Sequence, residues 1–254
     1  MCQIMLLQKI YGEASLGEFD RVLAHLCEGL KVTFRDLEIG ENDWVKVKVS
    51  GADAKVAMRF LDREIGLAPV DMEKISRFSV LNGRVAFSDK ESKTFVDIGV
   101  ISPEIVYGVF DVEDLRRQLA DGRGLTREKL VRLYSLVDNF PVEIRVISIG
   151  ESNVGVEFTE RQIDLFRSWL SYMVDRLIVL GATNRTVREA VRRANLKRDI
   201  IGFESLGTFE QILICKMGTD AAGLIPKIGR RMPKASLSNF SPREVLRAVT
   251  LSGK

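Results

Sequence analysis

Two segments far apart in the chain alternate apolar and polar residues without a break: Trp44 to Val49 reads WVKVKV and Val142 to Ile149 reads VEIRVISI. A strict period of two sends successive side chains to opposite faces, the pattern of a β-strand with one face buried and the other in water. Other stretches keep a different period. Leu16, Phe19, Val22, Leu23, Leu26, Cys27 and Leu30 recur at helical spacing, so they form the buried stripe of an amphipathic helix. A chain that switches repeatedly between the two periods is expected to be α+β, and 254 residues leave room for several small modules.

Composition then removes whole classes of function. With 46% hydrophobic residues, 29% charged residues and 6 prolines, the chain reads as foldable, neither disordered nor collagenous. The longest aliphatic stretches, Ile4 to Leu7 and Leu177 to Leu180, fall far short of the roughly 18 to 20 residues that span a bilayer. The start lacks a basic region before its apolar run and breaks at Lys9, unlike an export signal. The expectation is a cytoplasmic protein without a membrane segment. Cys2, Cys27 and Cys215 are widely spaced and odd in number, which suits neither a disulfide framework nor a cysteine-rich zinc site. The single histidine, His25, falls beside Asp20, Arg21 and Glu28, opposite the helical stripe, and reads as a surface residue. Neither a Ser-His-Asp arrangement nor a tetrahedral zinc site can be assembled from such a set. Gly218 to Gly223, GTDAAG, has the spacing of a phosphate loop, but Leu224 and Ile225 stand where the Walker pattern needs Lys and Ser or Thr. The expectation is no enzyme and no cofactor.

Three modules follow from the order of the periods. Residues 1–70 read as strand, helix, strand, strand, helix, strand, the order of a ferredoxin-like module, with the last strand at Gly66 to Val70. The strand from Trp44 offers Val45, Lys46, Val47, Lys48 and Val49 and no exposed aromatic on which a base could stack. Residues 71–160 read as five strands, Phe78 to Ser88, Thr94 to Val100, Val106 to Phe110, Val142 to Ile149 and Asn153 to Phe158, with two helices inserted after the third. That is the outline of an OB β-barrel with a helical insert.

Ser92 to Gly99 (SKTFVDIG), Gly108 to Leu115 (GVFDVEDL), Val142 to Gly150 (VEIRVISIG) and Val154 to Arg161 (VGVEFTER) follow one another in this segment. In order and spacing they resemble the RNA-binding OB repeat of the S-one type, named from a ribosomal protein. The resemblance implies a nucleic-acid face made from two aromatics and a histidine, and here those positions are Ser92, Phe95 and Asp111. Only Phe95 keeps its chemistry. Asp111, followed by Glu113 and Asp114, is expected to repel phosphate, so a docking scaffold stands beside RNA binding for this face, and Phe95 reads equally as a core residue.

Residues 161–254 read as a basic C-terminal α/β module. From Gly181 onward 14 Lys and Arg face 6 Asp and Glu, a net +8, while the preceding 180 residues carry −5. Such asymmetry is the footprint of a polyanion partner or of a solvated basic surface. Clustering favours the partner: Arg185, Arg188, Arg192, Arg193, Lys197 and Arg198 crowd one helix, and Lys227, Arg230, Arg231 and Lys234 form a second group. Val187, Ala190, Val191 and Leu196 make the buried stripe, leaving Arg185, Arg188 and Arg192 on the opposite side. Thr183 or Asn184 is positioned to cap the helix. The run from Thr183 to Met232 is similar to the C-terminal part of an archaeal family of conserved proteins of unknown function, which implies an archaeal, cytoplasmic protein and carries no activity with it. The pairing of a ferredoxin-like with an S-one-type module also resembles the stalk subunits of archaeal and eukaryotic RNA polymerases. The expected function is a non-catalytic RNA-binding protein of translation or RNA metabolism. Its partner would be a structured RNA, ribosomal or transfer RNA for example, or a ribonucleoprotein complex, with phosphates held by the basic helix and Phe95 on the barrel. The alternative is a protein-interaction adaptor that docks through the OB module without binding RNA.

Overall fold

The computed structural model describes residues 2–86, 93–150 and 153–251, and the chain divides into two compact units, one running to Ile75 and including Ile98–Val106, the other holding the rest. In the first, β1 (Cys2–Lys9), α1 (Glu13–Leu26), β2 (Thr33–Ile39), β3 (Trp44–Ser50) and α2 (Ala54–Glu64) precede the two-residue β4 (Val70–Asp71). The alternating segment becomes the central strand of an antiparallel sheet ordered β1-β3-β2. Val45, Val47 and Val49 are fully buried, as are Phe19 and Leu23 of α1 and Ala57 and Leu61 of α2. Lys46 and Lys48 point the other way and pair with Glu41 and Asp36.

The fourth strand expected at Gly66 to Val70 is reduced to a single antiparallel bridge between Leu6 and Leu67. It is flanked by hydrogen bonds from Leu7 N to Gly66 O and from Ala68 N to Met5 O, both 2.9 Å. Val70 explains the interruption. Its φ of 68° turns the backbone out of extended geometry, and Val70 and Asp71 pair instead, in parallel, with Val100 and Ser102. Gly99 permits that approach, because a Cβ there would lie 2.8 Å from the Ala68 side chain.

The chain continues with β5 (Val80–Ala86), β6 (Thr94–Ser102), β7 (Val106–Phe110), α3 (Val112–Ala120), α4 (Arg127–Leu133), β8 (Pro141–Ile149) and β9 (Val154–Phe158). β5 bends: Val80 to Arg84 pair with β8, and Arg84 to Ala86 pair with β6. Gly83 sits at the bend, where a Cβ would be 2.4 Å from Val96. β8 pairs antiparallel with β9, β9 pairs in parallel with β7, and β7 returns to β6. The five strands therefore close into a barrel, filled by alternating residues such as Val85, Val96, Ile144, Val146 and Val156. Gln118 of α3 pins the insert to it by bonding both the N–H and the C=O of Phe158, at 3.0 and 2.9 Å.

After α5 (Glu160–Tyr172) come β10 (Arg176–Leu180), α6 (Asn184–Arg193), β11 (Ile200–Ser205), β12 (Glu210–Cys215), α7 (Ala221–Gly229), β13 (Ser236–Phe240) and α8 (Pro242–Leu251). The sheet is antiparallel, ordered β11-β12-β10-β13. Its succession of elements and its strand order repeat those of the first unit, with a complete fourth strand. α6 and α7 pack on one face through Val187, Val191, Leu224 and Ile228 against Leu177, Val179 and Leu213. Ile178 and Leu180, of opposite parity, are equally buried, and on Phe240 of β13 packs Trp169 of α5, its ring 5.2 Å away. Phe166 bridges that group to Tyr134, Phe140 and Phe158 at 5.2 to 6.5 Å, so the barrel and the C-terminal sheet share an aromatic core. Arg176 is buried there as a C-terminal cap for α5. Its Nη1 donates to the carbonyls of Trp169 and Val174 at 3.2 Å, and burial lowers its pKa.

Candidate functional site

α6 begins at a tight turn on Gly181, φ 92°, and Thr183 is its cap, its hydroxyl accepting from the Thr186 N–H at 3.4 Å. Val187, Ala190 and Val191 are buried, while Arg185, Arg188, Arg192 and Arg193 are exposed, as is Lys197 beyond the helix end. The arginines are not equally free. Arg188 donates to Asn184 Oδ1 at 2.5 Å and lies 4.1 Å from the centroid of Phe203 on β11, a cation–π contact that fixes its direction. Arg192 and Arg193 share one carboxylate oxygen of Glu189, at 3.7 and 2.5 Å. Exposed pairs of this kind contribute about 0 to 1 kcal/mol, so a phosphate can displace them.

α7 starts at Asp220, whose carboxylate accepts from Ala222 N and Gly223 N at 3.0 and 3.2 Å. The glycine run therefore forms a carboxylate-capped helix start, and Pro226 lies inside the helix. Lys227, Arg230, Arg231 and Lys234 are exposed. α6 and α7 cover the same sheet face; the one acid within their spans is Glu189, and Asp220 is taken up in capping α7. Both cationic groups are thus borne on that side of the module.

On the barrel, Phe95 is partly exposed and opposite Ala86 in register. Tyr107 of β7, also partly exposed, stands edge-on to it, the ring centroids 6.0 Å apart. Phe95 is therefore not a core residue, and Tyr107 is a companion that sequence reasoning missed. The signal was present, because the alternation of Val106 to Phe110 turns Tyr107 outward. Asp111, exposed, caps α3, accepting from Glu113 N at 2.7 Å. Glu113 and Asp114 are engaged by Arg116 and Arg117, at 2.5 and 2.6 Å. Ser92 lies outside the described residues.

Beside Phe95, the outer barrel surface is covered from within the chain. Arg84 opposes Asp97 in register and approaches Glu210 of β12 with its Nη2 3.5 Å from Oε2, all three residues being buried. The turn between β11 and β12 packs against it, since a Cβ on Gly207 would lie 3.5 Å from Arg84 Nη2. No local pattern in the sequence signals this ion cluster.

His25 is a surface residue beside Glu28, 3.4 Å away. Burial pushes the Cys215 thiol up to about 12 and raises that of Cys27, so both are poor nucleophiles. Among the described residues no three His, Cys, Asp or Glu side chains come together as a metal site. No helix among them is long and apolar enough to cross a membrane.

The comparisons with known proteins bear on the two ends of the chain. The DUF2110 N-terminal domain matches residues 3–69 and the DUF2110 C-terminal domain matches residues 174–239, together just over half of the sequence. The chain belongs to the DUF2110 family. In this member the two family domains are the two sheets with the same strand order, and the closed barrel lies between them in sequence. Among curated proteins none matches the chain. Of solved structures, the intact alpha subunit of aIF2 from Pyrococcus abyssi is similar at 10% identity, covering 65% of this chain and 96% of that one with a TM-score of 0.24. At that score the likeness carries no weight for fold or function.

Proposed function

We propose that this DUF2110 protein is a non-catalytic RNA-binding protein that holds phosphates through α6, assisted by the cations at the end of α7, and stacks a base on Phe95 and Tyr107 of the barrel. The observation that carries the reading is the row Arg185, Arg188 and Arg192, exposed along a helix whose opposite side is buried and whose only acid is Glu189. Residues one turn apart on a helix lie about 5 to 6 Å apart, a spacing that lets them track successive phosphates. Arg188, held by Asn184 and Phe203, loses less conformational freedom on binding than a free side chain would. The five-strand closure with a parallel pairing of β7 and β9 supports reading the barrel as an OB fold of the S-one type. The sheet order of the first unit, with its residual fourth strand, supports reading it as ferredoxin-like. Neither α/β sheet offers the open aromatic face used by RNA-recognition modules, because the C-terminal one is covered on both sides and the open side of β3 presents Lys46 and Lys48.

One observation favours the alternative, an adaptor that docks through the OB module and binds no RNA: Asp111 and Glu113 are exposed where α3 leaves the barrel, and their charge repels phosphate. Purifying the tagged protein from its native cells with and without nuclease decides between them. RNA that co-purifies, together with partner proteins lost on nuclease treatment, supports the RNA reading; protein partners retained after nuclease, with no RNA, support the adaptor.

A further inference from the structure

Two hollows flank α4 where the helical insert of the barrel meets the C-terminal module. One, of about 360 Å³, is lined by Arg127, Val131 and Leu136 and by Asn239 of the edge strand β13. The other, of about 300 Å³, lies between α4 and α8 and is lined by Lys129, Leu133, Glu244 and Arg247. Arg132 lines both and stands between them; the two hollows, with this residue between, make up the furrow. The furrow is fixed in shape, because the Ser135 hydroxyl at the end of α4 donates to Asn239 O at 2.5 Å.

Its charges are unbalanced in a telling way. Arg127 is engaged, donating to Lys93 O at 3.0 Å and pairing with Glu128. Lys129, Arg132 and Arg247 enter no ion pair among the described residues, and Glu244 is the one opposing carboxylate not engaged by a cation. Free cations above an apolar floor match a ligand that carries regularly spaced negative charge together with flat, weakly polar groups, which is the chemistry of a single nucleic-acid strand.

We propose that this furrow is a second RNA contact, taking a short single-stranded segment with its phosphates on Lys129, Arg132 and Arg247 and a base or ribose on the apolar floor. The proposal rests on the RNA-binding reading and adds a site on the side of the C-terminal sheet opposite to α6. The test is a fluorescence-anisotropy titration of the full chain with a fluorescein-labelled oligouridylate, run for the parent, for Arg132→Glu with Arg247→Glu, for Arg132→Lys, and for the alanine triple variant of Arg185, Arg188 and Arg192. These residues are exposed, and equal urea midpoints establish that each variant folds. The double charge reversal should weaken binding at least about ten-fold, since each lost charged contact is a sizeable part of the affinity. Arg132→Lys should retain most of the affinity, and the α6 variant should weaken binding independently. If the α6 variant loses binding and the double reversal does not, the furrow is no contact and the RNA reading survives. If the parent binds no RNA, both fall. If a labelled oligoglutamate peptide binds the parent and loses that binding in the double reversal, while the RNA affinity of the double reversal is unchanged, the furrow is a peptide site and the proposal is overturned.

Discussion

Replacing Phe95 with alanine separates two roles that the sequence left open. The ring is partly exposed and, among the described residues, its one aromatic neighbour is Tyr107, edge-on at 6.0 Å. An edge-on pair contributes about 0.5 to 1.5 kcal/mol beyond its area, and a fully buried Phe→Ala costs about 3 to 5 kcal/mol. A partly exposed ring should therefore cost about 2 kcal/mol of stability. Loss of a stacking platform costs about 1 to 3 kcal/mol per base, and because stacking involves no phosphate the salt dependence of binding should not change. Urea unfolding gives the first quantity, and anisotropy titrations of single-stranded RNA at several salt concentrations give the second. Tyr107→Ala should behave like Phe95→Ala, whereas Tyr107→Phe should leave stacking intact. A stability loss above about 4 kcal/mol with unchanged RNA affinity would refute the reasoning, for it would place the ring in the core.

Other perturbations reach the scaffold. Phe166→Ala, at the centre of the aromatic core, should cost at least about 3 to 5 kcal/mol and lower the barrel and the C-terminal sheet together, seen as one urea transition and not two. Glu210→Ala removes one of the two carboxylates beside Arg84 and should cost about 1 to 3 kcal/mol, while Glu210→Gln, which keeps the shape, should cost less in the same urea titration. Cys2 should react with a thiol reagent at once, and Cys27 and Cys215 only on unfolding, as mass spectrometry of the labelled protein would record. The Cys215 thiol is raised from 9.0 to about 12 in the fold, so its contribution to stability is complete below pH 9 and is lost as pH rises from 9 through 12. Urea midpoints of Cys215→Ala should fall less steeply across that window than those of the parent.

The parts that the sequence disclosed are those in which one face is buried and one is wet. Trp44 to Val49, Val142 to Ile149 and the cationic side of α6 all announce themselves by period, because burial alone dictates it. β10 does not. Its residues RLIVL are buried on both faces, so the alternation is erased and with it the clue that residues 176–240 repeat the strand order of the first unit. Phe209 is buried outside the strands, beside the turn between β11 and β12, so its burial follows no strand period. The fourth strand of the first unit fails at Val70, whose positive φ no periodicity encodes. Asp111 was read by its charge, when its place just ahead of Glu113 and Asp114 marks a helix cap. Arg84, Asp97 and Glu210 meet only through tertiary packing, so nothing in their own neighbourhoods pointed to a site.

The central claim is that α6 grips phosphates. Its most direct measurement is the salt dependence of binding between the full chain and single-stranded RNA, for the parent and for the variant with Arg185, Arg188 and Arg192 replaced by alanine. Each phosphate contact to a single strand contributes about 0.7 to the slope of log K against log salt, so loss of the row should flatten the slope by about two units. The variant's helix should persist, since alanine favours helix and Val187, Ala190 and Val191 are untouched. Equal affinity and equal slope in parent and variant would contradict the account, leaving α6 as a solvated surface and the adaptor reading in its place.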